Sequence, residues 1–207
     1  VLMAHGGDEV LFADRGEGRV WATDTRGTAS FSLTAEPLLK GLDTPRIVVG
    51  TDGTGYVLTA DGQLYTVTGV GAEAVVKEQG RKLEGRLSES AQLTVVGDKV
   101  VVLDGTTLTV GGRSVTEEGF TGGVLQQPSG PSGTVVVATP SELLKVEISS
   151  GRVARESIPS GKPTAPVQLD GCTYALWAES GYYVRDCGGD QYERAQHPVL
   201  ASAKQPV

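Results

Sequence analysis

One phrase recurs along this chain and constrains its fold more than any other feature. Two or three β-branched or aliphatic residues lead into a turn built on Gly or Asp, and a second apolar run follows. Copies run from 9–14 into 18–23, 55–60 into 62–67, 99–104 into 107–110, 134–139 into 142–148, and 172–178 into 182–187. Aligned on Val10, Tyr56, Val100, Val135 and Tyr174, the steps are 46, 44, 35 and 39 residues. A hairpin-rich unit returning at roughly 40 residues is the spacing of a propeller blade. The expectation is an all-β chain: a β-propeller of short four-stranded blades. About five repeat units are visible, near 7–40, 46–79, 91–119, 123–159 and 163–188, with a tail or linker over 189–207. Such a ring either closes on five blades or is completed by others. A β-sandwich of roughly 15 short strands is the alternative.

Composition agrees. Gly accounts for 29 of the 207 residues and aromatics for only 5%. Val and Thr suit pleated strands and Gly supplies positive φ at tight turns, so long amphipathic helices have nowhere to sit. Asp61-Gly62 and Asp104-Gly105 fall between apolar runs as hairpin turns do. In the first unit, 29–33 reads as a third strand. The net charge of −7 argues against a nucleic-acid partner, which needs a clustered cationic surface. Lys77, Arg81, Lys82 and Arg86 form the densest basic stretch, but Glu78 and Glu84 interrupt it, as in a solvated loop. No apolar run approaches the ~18 residues of a membrane span. The chain opens directly in Val1-Leu2-Met3-Ala4, close to the first hairpin, which reads as an excised portion of a longer protein. Any membrane attachment is therefore expected through an anchor outside this sequence.

Cys172 and Cys187 are the only cysteines. Between them run a strand, a turn at Glu179-Ser180-Gly181 and a returning strand. A four-residue connection over 178–181 sets Trp177 opposite Tyr182 and Cys172 opposite Cys187. Opposed residues of a non-hydrogen-bonded antiparallel pair have Cα atoms about 4.5 Å apart, within bridging range. The expectation is a cross-strand disulfide, and hence an oxidising compartment outside the cytosol. Two buried free thiols are the alternative.

Other constellations carry little chemistry. His5 and His197 sit near opposite ends, and no His or Cys joins the cysteine pair at zinc spacing, so no metal is expected. Asp52-Gly53-Thr54-Gly55 lacks the repeated carboxylates of a calcium loop and reads as a turn. Gly111-Gly112 and Gly122-Gly123 precede strands, so they cannot cradle phosphate at a helix start. No catalytic residue and no cofactor is expected. Trp21 and Trp177 occupy equivalent repeat positions, as blade-core residues do. Trp177, Tyr182 and Tyr183 nonetheless make the cysteine hairpin the most aromatic stretch, and so the first candidate partner surface.

The stretches 123–129, 134–139 and 143–146, and then 166–172, 175–178 and 183–187, resemble a known family. It is the propeller-like extracytoplasmic region of actinobacterial, bifidobacterial-type, membrane-anchored surface proteins that carry fibronectin type III repeats. The resemblance covers 122–188. It implies an extracellular, cell-surface address and a protein partner, either a host protein such as a cytokine or a cell-surface component. No catalytic motif belongs to that family. The function expected is a non-enzymatic interaction domain, with two alternatives: a spacer for adhesive domains, or a propeller enzyme working in the central channel.

Overall fold

The structure, a computed structural model, describes residues 1–25, 36–70, 73–188 and 192–196. Five small antiparallel sheets stand side by side, one per repeat, rather than the two stacked sheets of a sandwich. The chain is a β-propeller. Blade I holds β1 (Leu2–Gly6), β2 (Glu9–Asp14) and β3 (Arg19–Asp24). Blade II holds β4 (Arg46–Val49), β5 (Gly55–Leu58), β6 (Gln63–Thr68) and β7 (Val75–Arg81). Blade III holds β8 (Gln92–Val96), β9 (Lys99–Asp104), β10 (Thr107–Val110) and β11 (Arg113–Thr116). Blade IV holds β12 (Val124–Leu125), β13 (Thr134–Ala138), β14 (Glu142–Glu147) and β15 (Val153–Ser157). In blade V, β16 (Lys162–Pro163) and β17 (Val167–Leu169) both pair with β18 (Cys172–Ala178), followed by β19 (Tyr182–Asp186) and β20 (Tyr192–Gln196).

Two strands depart from the sequence expectation. Blade I begins at Leu2 and not near residue 7, because Leu2–Gly6 returns onto β2 through a turn at Gly7, whose φ is 59°. Gly6 closes this strand for a steric reason: a Cβ there would lie 2.5 Å from the Gly50 carbonyl oxygen of the neighbouring blade. At the other end, Tyr192–Gln196 lies within the expected tail yet pairs residue for residue with β19. As an outermost strand it carries charge on exposed positions, which hides the apolar alternation. The expected strand 29–33 lies outside the described residues.

Apolar side chains meet between blades, not within them. Leu11, Ala13 and Val20 of blade I pack on Val49, Val57 and Val67 of blade II. Tyr56, Leu58 and Leu64 of blade II meet Val95 and Val102 of blade III. Leu103, Leu108 and Val110 of blade III meet Val135, Val137 and Leu144 of blade IV. Val136, Ala138 and Leu143 of blade IV meet Ala175, Trp177 and Val184 of blade V. A middle strand therefore buries both of its faces, which is why 135–138 reads Val-Val-Val-Ala without alternation. Each such Val or Leu contributes ~1.5–3 kcal/mol when fully buried.

Polar pins cross the same seams. The Gln92 side chain donates from Nε2 to the Gly123 carbonyl (2.7 Å) and accepts at Oε1 from the Leu125 N–H (2.8 Å). It thus supplies to β12 the two bonds that a strand would. Gln126 accepts the Val136 N–H at 2.7 Å and a bond from Gln168 Nε2 of blade V at 3.3 Å. Arg46 is buried at the start of β4, where its guanidinium donates to the carbonyls of Ala91 (3.0 Å), Thr44 (3.2 Å) and Ser88. Each pin satisfies groups whose burial unpaired would cost about 1–3 kcal/mol.

Candidate functional site

The last blade was the sequence's candidate surface, and its two faces differ. Strand alternation turns Thr173, Ala175 and Trp177 of β18 toward blade IV, together with Tyr182 and Val184 of β19. Trp177 is 0% exposed: its Nε1 donates to the Thr139 carbonyl at 2.7 Å, and its ring meets Tyr182 edge-on, with centroids 6.2 Å apart. Trp177 and Tyr182 are therefore core residues of the IV–V seam and not a partner surface. Their aromatic area is spent on packing, as it is for most buried rings. Tyr183 falls on the opposite face and is half-buried. Its hydroxyl donates to the Glu193 carboxylate, and that bond holds the phenol protonated above its ordinary range.

The face turned away from blade IV carries what the inward face does not. Val167, Tyr174 and Arg185 stand in one row across β17, β18 and β19, and Leu176, Tyr183 and Ala195 stand in the next. Val167 is 42% exposed, Leu169 58% and Tyr174 39%. Large apolar side chains side by side on one exposed sheet face are unusual on a solvated surface and typical of an interface centre. Of the three residues that the sequence points to, Trp177 and Tyr182 face inward and Tyr183 faces outward. Tyr174 was in plain view, but nothing local says which face of a two-sided apolar strand a neighbouring blade will cover.

Cys172 and Cys187 stand opposite one another at the open end of this hairpin and are joined by a disulfide, with Cα atoms 4.0 Å apart. The bond closes the loop that ends on the exposed face, beside Leu169, which pairs with Cys172. On the inner side of the same blade, Lys145 of β14 and Asp186 of β19 form an ion pair. Burial pushes the Lys145 ammonium below its ordinary range and raises the neighbouring Glu156 carboxyl.

The central channel is a cavity of about 740 Å³ bounded by the innermost strands of the blades. Its polar lining is Thr51, Gln92, Thr94, Gln126 and Gln127, and His5 is its one titratable side chain among the described residues. Gln92 and Gln126 are committed to the pins above. Thr94 Oγ1 is buried without a hydrogen-bond partner among the described residues. Asp52 tightens its own turn, accepting from the Thr54 N–H and hydroxyl at 3.0 Å each. Near it, Glu9 accepts the Gly69 N–H at 2.8 Å, and burial raises its carboxyl above the usual range. His197 lies outside the described residues.

This geometry defines a propeller with a channel of mixed apolar and uncharged polar lining and an exposed apolar face on its last blade. No protein-family model matches the sequence, and no curated protein matches it. Its fold is nevertheless similar to several solved structures. Virginiamycin B lyase from Staphylococcus aureus, in a catalytically inactive variant with quinupristin, aligns at TM-score 0.59 and 12% identity over 96% of this chain and 70% of that one. YCF48 bound to D1 peptide aligns at TM-score 0.58 and 13% identity, covering 93% of this chain and 64% of that one. AztD from Citrobacter koseri aligns at TM-score 0.58 and 13% identity, covering 95% of this chain and 59% of that one. At these identities the likeness shows the fold alone. The chain spans less than two thirds of the latter two.

Proposed function

We propose that this chain is a non-enzymatic interaction domain that works outside the membrane and binds a protein partner through the outward face of blade V. The observation that carries the reading is the exposed trio Val167, Leu169 and Tyr174, flanked by Leu176 and Tyr183 and rimmed by Arg185 and Glu193. An apolar centre within a charged rim is the anatomy of a protein interface. That YCF48, a neighbour in fold, holds a peptide supports a protein partner in general. The disulfide supports an oxidising compartment, and among the described residues no helix is long and apolar enough to cross a membrane. The resemblance to actinobacterial surface proteins supports a cell-surface address and a host protein, such as a cytokine, as the partner. A channel lining with one titratable side chain supports the non-enzymatic reading, because acid–base chemistry needs several convergent groups.

The test is binding of the oxidised protein to a panel of immobilised host cytokines and cell-surface extracts, alongside Leu169→Glu and Tyr174→Glu. The reading expects a saturable partner that both substitutions abolish while the melting temperature holds. Binding that ignores both substitutions overturns it. So does self-association through this face in place of a partner, or turnover of a small molecule that requires His5.

A further inference from the structure

Blades II and III part from one another at their outer edge, where blades III and IV do not. Against blade IV, the outer strands of blade III present Leu108, Val110 and Val115, and these are met by Val146, Ile148 and Val153. Against blade II, the same two strands present Thr107, Thr109, Ser114 and Thr116. From blade II, Leu64, Thr66 and Gln79 line the same space, with Gln79 Nε2 donating to Thr66 Oγ1 at 3.1 Å. β7 carries one extra residue, Gln79, opposite the Leu64–Tyr65 step of β6, and the residue opposite Leu64 is Gly80, where an added Cβ would meet nothing within 4 Å. Two adjoining lobes of a cleft lie here, of about 840 and 390 Å³, with Lys82, Leu83, Val102 and Thr109 lining both.

Its chemistry is specific. The hydroxyls form a ladder, with Thr109 Oγ1 2.8 Å from Ser114 Oγ and Thr107 Oγ1 3.3 Å from Thr116 Oγ1. Within each pair one proton is shared, so one hydroxyl proton and several lone pairs remain for a ligand. Leu64, Leu83 and Val102 give an apolar floor. Lys82 lines both lobes and has no ion-pair partner among the described residues. Beside it, Arg81 spends only Nε, on the Leu83 carbonyl at 3.1 Å. The other nearby cations are committed: Arg86 to Asp43, and Lys99 to Asp98 at 3.3 Å. Glu84, Asp98 and Asp104 also border the cleft, so closely clustered negative charges would be repelled more than carboxylates spaced a sugar ring apart.

We propose that this cleft binds an acidic oligosaccharide. The hydroxyl ladder would exchange hydrogen bonds with sugar hydroxyls, the apolar floor would take a ring's C–H face, and Lys82 with Arg81 would hold the carboxylate. The assignment goes beyond the protein-binding reading and uses none of its residues.

The test is titration of the isotope-labelled protein with linear trigalacturonate, followed by amide chemical shifts, with maltotriose and inorganic phosphate as controls. Trigalacturonate should move amides of 82–84 and 107–116, and its affinity should fall as salt rises. Lys82→Glu should weaken it by about tenfold or more, the worth of one charge-assisted bond. Thr109→Val should weaken it less, because it removes one hydroxyl. Maltotriose should move the same amides more weakly. Tyr174→Glu, on the far blade, should leave the affinity unchanged. Lys82 is exposed and Thr109 half-buried, and the spectrum of each variant reports directly that it folds. Absence of shifts up to millimolar trigalacturonate overturns the proposal. So do shifts confined to the central channel, an affinity indifferent to both cleft substitutions, or phosphate binding as tightly as the trisaccharide.

Discussion

Blades III and V flank blade IV and turn the same kind of face toward it. Leu108 and Val110 on one side and Trp177 and Val184 on the other are buried against it. Their other faces have nothing in common. Blade III turns hydroxyls and a borrowed lysine toward a cleft, whereas blade V turns Val167, Leu169 and Tyr174 toward solvent. Because strand residues alternate between faces, a blade can hold its core residues fixed while the intervening positions are free to take up a surface chemistry. The repeat thus determines the architecture, and the off-phase residues determine what each blade can recognise.

The comparison breaks first at Trp177. Trp177→Ala should empty the IV–V seam and cost about 3–5 kcal/mol, read as a large fall in melting temperature. Tyr174→Ala, three residues away on the same strand but on the other face, should stay within about 0.5 kcal/mol. Equal effects would mean that the two faces are not distinct.

A smaller effect sharpens the contrast at the I–II seam, where Glu9 replaces a neutral pin with a half-buried carboxylate. Its folded pKa is raised above the ordinary value near 4.5, first by burial and also by the nearby Asp52 charge, against the opposing pull of the Gly69 N–H. A raised folded pKa favours the protonated form, so the stability it contributes is full below the unfolded value and is lost as pH rises through the folded one. Glu9→Gln keeps an acceptor for the Gly69 N–H and cannot ionise. Its melting temperature should match the parent near pH ~4 and exceed it modestly near pH ~7. A variant less stable at both pH values would show that the charge is satisfied there.

Much of this molecule is legible in its residues. Asp61-Gly62 and Asp104-Gly105 sit at turns with Gly62 at φ 87° and Gly105 at φ 58°, so the hairpins they bound fall where the turn chemistry puts them. The cysteine register follows from the same counting, since Trp177 opposite Tyr182 leaves Cys172 opposite Cys187. Three things are not legible. β1 is short and ends in glycine, and β20 is an outer strand whose polar residues mask its pairing. The orientation of Trp177 depends on which neighbour covers β18, and strands apolar on both faces carry no period to reveal it. The cleft joins Lys82 and Leu83 of one stretch to the hydroxyl ladder of another blade, a conjunction that no local window contains.

The central claim is that the last hairpin buries Trp177 and presents Tyr174. Hydroxyl-radical footprinting of the native, oxidised protein, read by mass spectrometry against the unfolded chain, tests it directly. Indole is the more reactive ring, so exposure alone would favour labelling at Trp177. Burial should reverse that order: Tyr174 is modified in the folded protein, and Trp177 is protected until the chain unfolds. Trp177 labelled as readily as in the unfolded chain, with Tyr174 protected, would contradict it.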